Sequence, residues 1–303
     1  MVAGNQVAVS AASGSAEYAP GMPTTAPESD PYAFAADREE EERRLVAQSR
    51  LFESVTEELL RQAGLGPGMH VIDLGSGAGD TAILAARLVG PTGSVLGIER
   101  SPEQAALARR RVADLGLDNV TFQEGDVAAL GDLLHRHPGP VDAVMGRLIL
   151  MWVPDRAAVL QACATGLAPG TLVCFLDVDL TYDFAMPASW LWTEAQRWFV
   201  ATLEGLGAEK RMGPKLYRAF RDAGLPGPAL ETRTLMVGGS AAPVWFLVNI
   251  FRAFAPLMSQ LGIAEPADVD LGTLEDRLLA DLVAEDAAMI LPPLTAAWTR
   301  IPG

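Results

Sequence analysis

Residues 71–80 read VIDLGSGAGD, a stretch whose residue types suit the cradling of a ligand. Three residues ending in an acid, Val71, Ile72 and Asp73, run into glycines at positions 75, 77 and 79. A glycine has no Cβ, so its backbone turns sharply and lies flat against a ligand. Apolar residues then return at helical spacing at Ile83, Leu84, Ala86 and Leu88. Strand, glycine turn and helix in this order hold a nucleotide-like molecule at the carboxyl end of the first strand of an open α/β sheet. Glu99 closes the second strand about 20 residues further on, where such a sheet holds ribose hydroxyls, and a carboxylate accepts from both hydroxyls at once. Asp177 and Asp179 stand at the end of the fifth strand (FLDVDL), where alternation puts both on one face. Arg147 follows the fourth strand, placed to anchor an anionic group or to pair with a nearby acid. His70 lies at the wrong end of the first strand. His135 and His137, in a loop flanked by proline and glycine, have no third ligand near them, so no metal site is expected.

A glycine turn alone is a weak signal, and its first rival is a dinucleotide site. That fingerprint, G-x-G-x-x-G, needs glycine or alanine at position 80, which is Asp80. The pattern D-x-G-x-G-x-G instead resembles the first motif of class I S-adenosylmethionine-dependent methyltransferases. Later stretches follow that family's order: Gly125-Asp126-Val127 after the third strand, VDAVMGRLILMWVPD around the fourth, and LAPG before the fifth. The departures are small, with Ser76 where cysteine is also common and Glu99 in place of the more usual aspartate.

The resemblance implies S-adenosyl-L-methionine as cofactor. Asp73, Gly75, Ser76 and Gly77 would then hold its methionine end, Glu99 its ribose, and Asp126 with Val127 its adenine, with Arg100 a further cofactor-binding residue. Arg147 falls in the motif whose backbone passes beneath the transferring methyl. The implied reaction is in-line displacement of a methyl from a sulfonium by a lone pair or π-bond of the acceptor. The enzyme's main contribution is alignment in a dry pocket, and a general base is needed only where the acceptor must lose a proton. Asp177 is the preferred base, with Arg147 on an acceptor phosphate or carboxylate. A binding protein of the same fold that transfers no methyl, such as a cyclase or scaffold, keeps the same motif and stands as the alternative.

These residues need a frame. Strands at 71–73, 95–98, 120–122, 141–145 and 171–177 alternate with helical segments, which predicts a doubly wound, Rossmann-like α/β sheet. A sixth strand at 229–237 and a last one at 295–301, antiparallel in the family, complete seven strands. Residues 1–28 are small, polar and proline-dotted, a tail that cannot bury enough apolar surface to order itself. A helix starting near Asp30-Pro31 occupies 29–65 and ends at Gly64. It carries Glu39–Arg43 and Glu40–Arg44 pairs, then a stripe of Leu51, Val55 and Leu59. It reads as a solvated packing helix or as a lid that brings Gln48, Arg50 and Phe52 to the site. The methyltransferase domain, 66–303, contains two aromatic insertions at about 181–211 and 238–291. Both follow strand ends, where aromatic helices roof an apolar pocket or form a satellite core. Trp152, Asp179, Trp190, Trp245 and Asn249 are the candidate acceptor-pocket residues.

Composition narrows the partners. Of 303 residues, 23 are Lys or Arg and 38 Asp or Glu, a net charge of −15. Nucleic-acid binding needs a basic footprint, so a nucleic-acid substrate is disfavoured. Arginine dominates over the two lysines, Lys210 and Lys215, as in a GC-rich bacterium. The two cysteines, Cys163 and Cys174, sit in apolar stretches and form no disulfide framework. No secretory signal is visible, and the longest apolar run, 241–248, is far short of the roughly 20 residues that span a bilayer. The expectation is a cytoplasmic enzyme, acting alone or as a homodimer on a small, largely apolar metabolite by O- or C-methylation in natural-product biosynthesis.

Overall fold

The computed structural model describes residues 38–137 and 139–303, with side chains from residue 51 onward except at position 266. The expected tail, the helix start at Asp30-Pro31 and the side chains of Gln48 and Arg50 lie outside the described residues.

Helix α1 (Arg38–Ala63) runs into β1 (His70–Leu74), α2 (Asp80–Val89), β2 (Ser94–Glu99), α3 (Pro102–Asp114) and β3 (Val120–Glu124). Then come α4 (Leu130–Arg136), β4 (Ala143–Arg147), α5 (Arg156–Gly166) and β5 (Leu172–Val178). The chain continues through β6 (Ala185–Met186), α6 (Trp190–Gly205), α7 (Met212–Asp222), β7 (Ala229–Arg233) and β8 (Met236–Gly238). It closes with α8 (Val244–Gln260), α9 (Pro266–Val269), α10 (Leu274–Ala284), β9 (Ala288–Ile290) and β10 (Leu294–Arg300). The helix starts follow local chemistry. Ser101, Asp155 and Ser189 each cap a helix by accepting from a backbone amide in its first turn, and α3 has proline in its first turn as well.

Seven strands form one sheet in the order β3-β2-β1-β4-β5-β10-β7, with β10 antiparallel to both neighbours. β5 is buried along its whole length, as expected of a strand covered on both faces. The second half of the expected sixth strand leaves this sheet. Its pairing stops at Arg233, the Thr234 hydroxyl donates to the Leu291 carbonyl, and β8 joins a separate three-stranded sheet, β6-β9-β8. His135 also departs from expectation, lying in the last turn of α4 rather than in a loop.

The two segments expected as insertions come together. The Trp192 indole of α6 donates to the Leu278 carbonyl of α10 at 3.1 Å, and Trp198 meets Phe251 of α8 edge-on with centroids 6.2 Å apart. Among the described residues, no helix is long and apolar enough to cross a membrane.

Gly97 in β2 lies directly under the glycine turn. A Cβ there would sit 2.5 Å from a Phe122 ring carbon and 2.7 Å from Ser76 Oγ. Gly97→Ala is therefore expected to destabilise the fold by about 1–3 kcal/mol through overpacking, read as a lower urea midpoint at unchanged m-value.

Candidate functional site

The site is built at the carboxyl ends of β1, β2 and β4. Gly75, Gly77 and Gly79 all have left-handed backbones, with φ of 65°, 53° and 86°. Gly75 could not carry a side chain, because its Cβ would lie 2.4 Å from Ile149 Cδ1, whereas a Cβ on Gly77 would meet nothing within 4 Å. The turn is thus closed on its β4 side and open above Gly77. Asp80, at the position that distinguishes this motif, contacts Arg111 of α3 at 2.6 Å, and Arg111 also donates to the Ala78 carbonyl at 2.5 Å. Its carboxylate ties the start of α2 to α3.

Asp73, at the foot of the turn, is 1% exposed, and neither of its oxygens has a hydrogen-bond partner among the described residues. Burial pushes its pKa up to about 8, against the opposing pull of Arg147 and with further upward contributions from Glu99 and Asp80. The Ser76 hydroxyl is buried and equally unpartnered. Buried polar atoms are ordinarily satisfied. An acceptor-rich, unpartnered foot beside an open glycine turn fits the amino-acid end of S-adenosylmethionine, which brings donors of its own.

Glu99 reaches the turn from β2. Its two oxygens accept from the amides of Gly77 at 2.8 Å and Ser101 at 2.9 Å. A carboxylate has about four acceptor positions, so two remain for ribose hydroxyls. Arg100, next along, is exposed. Asp126 is exposed and accepts from the Ala128 amide at 2.9 Å, capping a short 3-10 turn in which Val127 is buried. The aspartate thus serves this turn, with its second oxygen available to a ligand.

Strand register decides which acids converge. Asp73 pairs with Gly97 and Met145, and Met145 with Cys174. Side chains in register share a face, so Asp73, Glu99, Arg147 and Leu176 lie on one side of the sheet. Asp177 lies on the other, with Gly146 and Phe175, whose ring packs edge-on against Phe220 of α7 at 6.2 Å. This corrects the expectation that Asp177 points into the pocket. It is fully buried, with a pKa pushed up to about 8 by desolvation. The nearby amides of Met151, Val178 and Leu150, and the charge of Arg156, counter that rise without any amide forming an aligned hydrogen bond. Asp179 lies beyond the end of β5 and accepts from both the amide and the hydroxyl of Thr181, at 2.9 and 2.6 Å.

Arg147 has a partner that the sequence did not suggest. Its Nη1 donates to the hydroxyl of Thr56 in α1 at 3.1 Å. Thr56 is fully buried, the one hydroxyl on a helix face otherwise made by Val55, Leu59, Leu60 and Ala63. A lone threonine in an apolar stripe was the available signal. Just after Arg147, Leu148 has φ of 56°, a conformation uncommon for a residue with a side chain. This bend carries Ile149 under Gly75.

The expected acceptor-pocket residues divide. Trp190 is 73% exposed at the start of α6. Asn249 is half-buried, and its side-chain oxygen accepts from Arg252 at 2.6 Å. Trp152 and Trp245 are half-buried, and Trp245 meets Phe246 edge-on at 6.4 Å. Phe246 in turn meets Phe52 of α1 at 5.5 Å, joining the first helix to α8. Most other insertion aromatics, including Trp192, Trp198, Phe199 and Phe251, are buried and continuous with the core of the main sheet. A shallow depression along the small sheet, lined by Met186, Ser240, Leu282 and Asp286 among others, contains none of the site residues. Among the described residues no group of His, Cys, Asp or Glu is arranged to hold a metal ion.

A family model described as "Methyltransferase domain" matches residues 65–224. The chain is 35% identical over 122 residues to an arsenite methyltransferase of Halobacterium salinarum, covering 40% of this chain and 30% of that protein. It is 37% identical over 114 residues to a trans-aconitate 2-methyltransferase of Methylobacterium nodulans, covering 37% and 40%. The match therefore spans about a third of the length of these curated relatives. Among solved structures, phosphoethanolamine N-methyltransferase 2 of Haemonchus contortus in complex with S-adenosyl-L-methionine aligns with a TM-score of 0.52 at 15% identity, over 91% of this chain and 61% of that one. The YcgJ protein from Bacillus subtilis aligns with a TM-score of 0.51 at 15% identity, over 82% and 99%. These two likenesses show a shared fold.

The buried acids give the ligand-free protein a signed pH dependence. With Asp73 raised from 3.8 to about 8, the folded state holds a proton that the unfolded chain has lost between those values. Stability is expected to fall as pH rises through that window, to which Asp177 also contributes. Asp73→Asn should flatten part of the slope in urea unfolding measured at several pH values across the window.

Proposed function

The chain belongs to the class I S-adenosylmethionine-dependent methyltransferase family, and from that premise we propose that it methylates a small, largely apolar metabolite on oxygen or carbon, as a tailoring step in natural-product biosynthesis. The observation that carries the cofactor's place is the foot of the glycine turn. There a fully buried carboxylate, Asp73, and a buried hydroxyl, Ser76, lack partners among the described residues, beside the opening above Gly77. Glu99 stands where the ribose would lie, and Asp126 with Val127 where the adenine would.

The bound cofactor supplies an activated methyl on a positively charged sulfur. The chain's own residues orient the reactants and exclude water. Ile149, held under Gly75 by the bend at Leu148, fills the floor between β1 and β4. Phe52, Phe246 and Trp245 join α1 to α8 in an aromatic contact, which supports reading α1 as a lid and α8 as part of a roof. Such a roof favours an apolar acceptor and keeps the pocket dry.

Asp177 is better read as a support than as a base. It faces the α7 side of the sheet, beside the amides of Leu150 and Met151, and so steadies the turn that carries Ile149. A metalloid acceptor is disfavoured by chemistry. Soft acceptors are held by thiolates, and Cys163 and Cys174 are both buried, with thiols pushed up to about 12 by desolvation.

The test is incubation with methyl-labelled S-adenosylmethionine and a panel of apolar phenols and isoprenoid acids. Label should move to an acceptor as S-adenosylhomocysteine accumulates; tight cofactor binding with no transfer across the panel would favour the cyclase or scaffold alternative. Glu99→Ala should weaken S-adenosylhomocysteine binding by about 1.5–3 kcal/mol, the scale of a hydrogen bond to a charged group, as read by calorimetry. Asp177→Asn should leave the pH profile of turnover in place, while loss of the acidic limb would restore Asp177 as the base.

A further inference from the structure

The edges of the two sheets are not finished alike. An unpaired strand edge is a template for another chain, and proteins ordinarily guard it with charge, proline or cover. On the main sheet, β3 carries Glu124 in contact with Arg109, whose guanidinium also donates to the Phe122 carbonyl, and β7 carries Glu231 and Arg233. On the small sheet, β6 runs at once into Pro187. β8 carries neither charge nor proline, and residues 234–251 contain no charged side chain in a chain of net charge −15. The ladder shows which backbone groups it leaves over. The amides of Leu291 and Gly239 donate to the carbonyls of Leu235 and Ala287, at 2.9 and 3.1 Å, so residues 235, 237 and 239 face β9. Alternation then turns the N–H and C=O of Met236 and Gly238 outward, to an edge that no strand among the described residues covers. The side chains add shape to this edge. Met236, Gly238, Ala288, Ile290 and Met186 share the outer face of the small sheet, while Ala185 and Met289 are buried beneath it. Met236 is 64% exposed, and a Cβ on Gly238 would meet nothing within 4 Å. Gly238 also borders the shallow depression lined by Met186, Val283 and Ser240.

We propose that β8 is the docking edge for a second copy of this chain, paired antiparallel about a two-fold axis at Val237. That register sets Met236 of each copy opposite Gly238 of the other, in the type of pair that exchanges both N–H···O bonds. Opposed residues share a face, so each projecting Met236 side chain lies over the other copy's bare Gly238 and beside its depression. One strand thus supplies both the projection and the space that receives it, as a self-complementary two-fold interface requires. The exposed surface of residues 236–240 with Met186 and Val283 is on the order of 500 Å² per copy, so a pair covers roughly 1,000 Å², the lower limit for a specific interface. The pairing is therefore weak and concentration-dependent. An uncharged strand also lets two acidic copies meet without setting further like charges side by side. Because α8 begins a few residues after β8, the interface borders the helix that carries Trp245 and Phe246.

Sedimentation velocity on the full chain, over concentrations from about 1 to 100 µM, reads the association. The native chain should pass from the mass of one copy, 32.1 kDa, toward that of two as concentration rises. Added salt should strengthen the pairing, because it screens the repulsion between acidic copies. Gly238→Pro removes an outward amide at a residue whose φ of −85° suits proline. It should weaken association about tenfold or more, the scale of the cross-strand hydrogen bonds lost from both copies. Met236→Asp sets a charge beside a depression that already contains Asp286, and should abolish pairing across the range. Met236→Leu, which stays apolar, should associate within about threefold of the native chain. Met236 is exposed and the Gly238 amide faces away from β9, so all three variants should keep the native urea midpoint in dilute solution. A native chain that remains single throughout overturns the pairing and leaves the strand to a partner of another kind. A pair that survives both Gly238→Pro and Met236→Asp places the second copy elsewhere and defeats the assignment of β8. Growth beyond two copies contradicts the two-fold closure.

Discussion

A carboxylate buried at the end of the central strand is the constraint around which this molecule is arranged. Asp73 sits where β1 gives way to the glycine turn, buried from water and with no donor to satisfy it among the described residues. Burying such a group is costly unless it is paired or takes up a proton, and burial here pushes its pKa up to about 8. The surroundings make sense as the means of keeping that group ready for a ligand. The glycines bring backbone rather than side chains to it, Gly97 clears the floor beneath Ser76, and Arg147 stands near without neutralising it.

The helices divide the labour on the two faces. On the Asp73 face, α1 contributes Thr56 to Arg147 and Phe52 to the aromatic contact with α8. On the opposite face, α7 packs Phe220 on Phe175 and encloses Asp177. Two buried carboxylates near strand ends look alike in composition, yet they meet different environments. Asp73 faces a site with a cation in it, and Asp177 faces backbone amides that steady a turn. The segments after β5 and β7 add a layer continuous with the main core, and Phe246 of α8 joins it to α1 through Phe52. The buried tryptophans of α6 hold that layer together.

Much of this was legible from residue types and spacing because the information is local. Alternation of strand and helix follows from apolar periodicity, helix starts from capping serines and aspartates, and the cofactor turn from glycines that alone tolerate its backbone. Seven strands with β10 antiparallel agree with that reading. The acids at strand ends, Asp73 and Glu99, could be named because their place is set by the strand they terminate and the turn that follows.

What only the tertiary structure decided is where side chains go once strands pair. A strand's period is two, so a shift of one residue in register moves a side chain to the other face of the sheet; nothing within FLDVDL records that Asp177 turns toward α7, since the direction is set by pairing of β4 with β5. Trp190 has the composition of a pocket residue, yet its place at the exposed start of α6 depends on how that helix docks. Thr56 and Arg147 are 91 residues apart, and their hydrogen bond exists because α1 folds back over the ends of strands that come later in the chain. The sequence by itself determined the cofactor cradle, which one strand and one turn are enough to build. The polar link above it, the direction of each acid and the wall around the acceptor required separate elements to meet, and contacts of that kind leave no periodic trace in the chain.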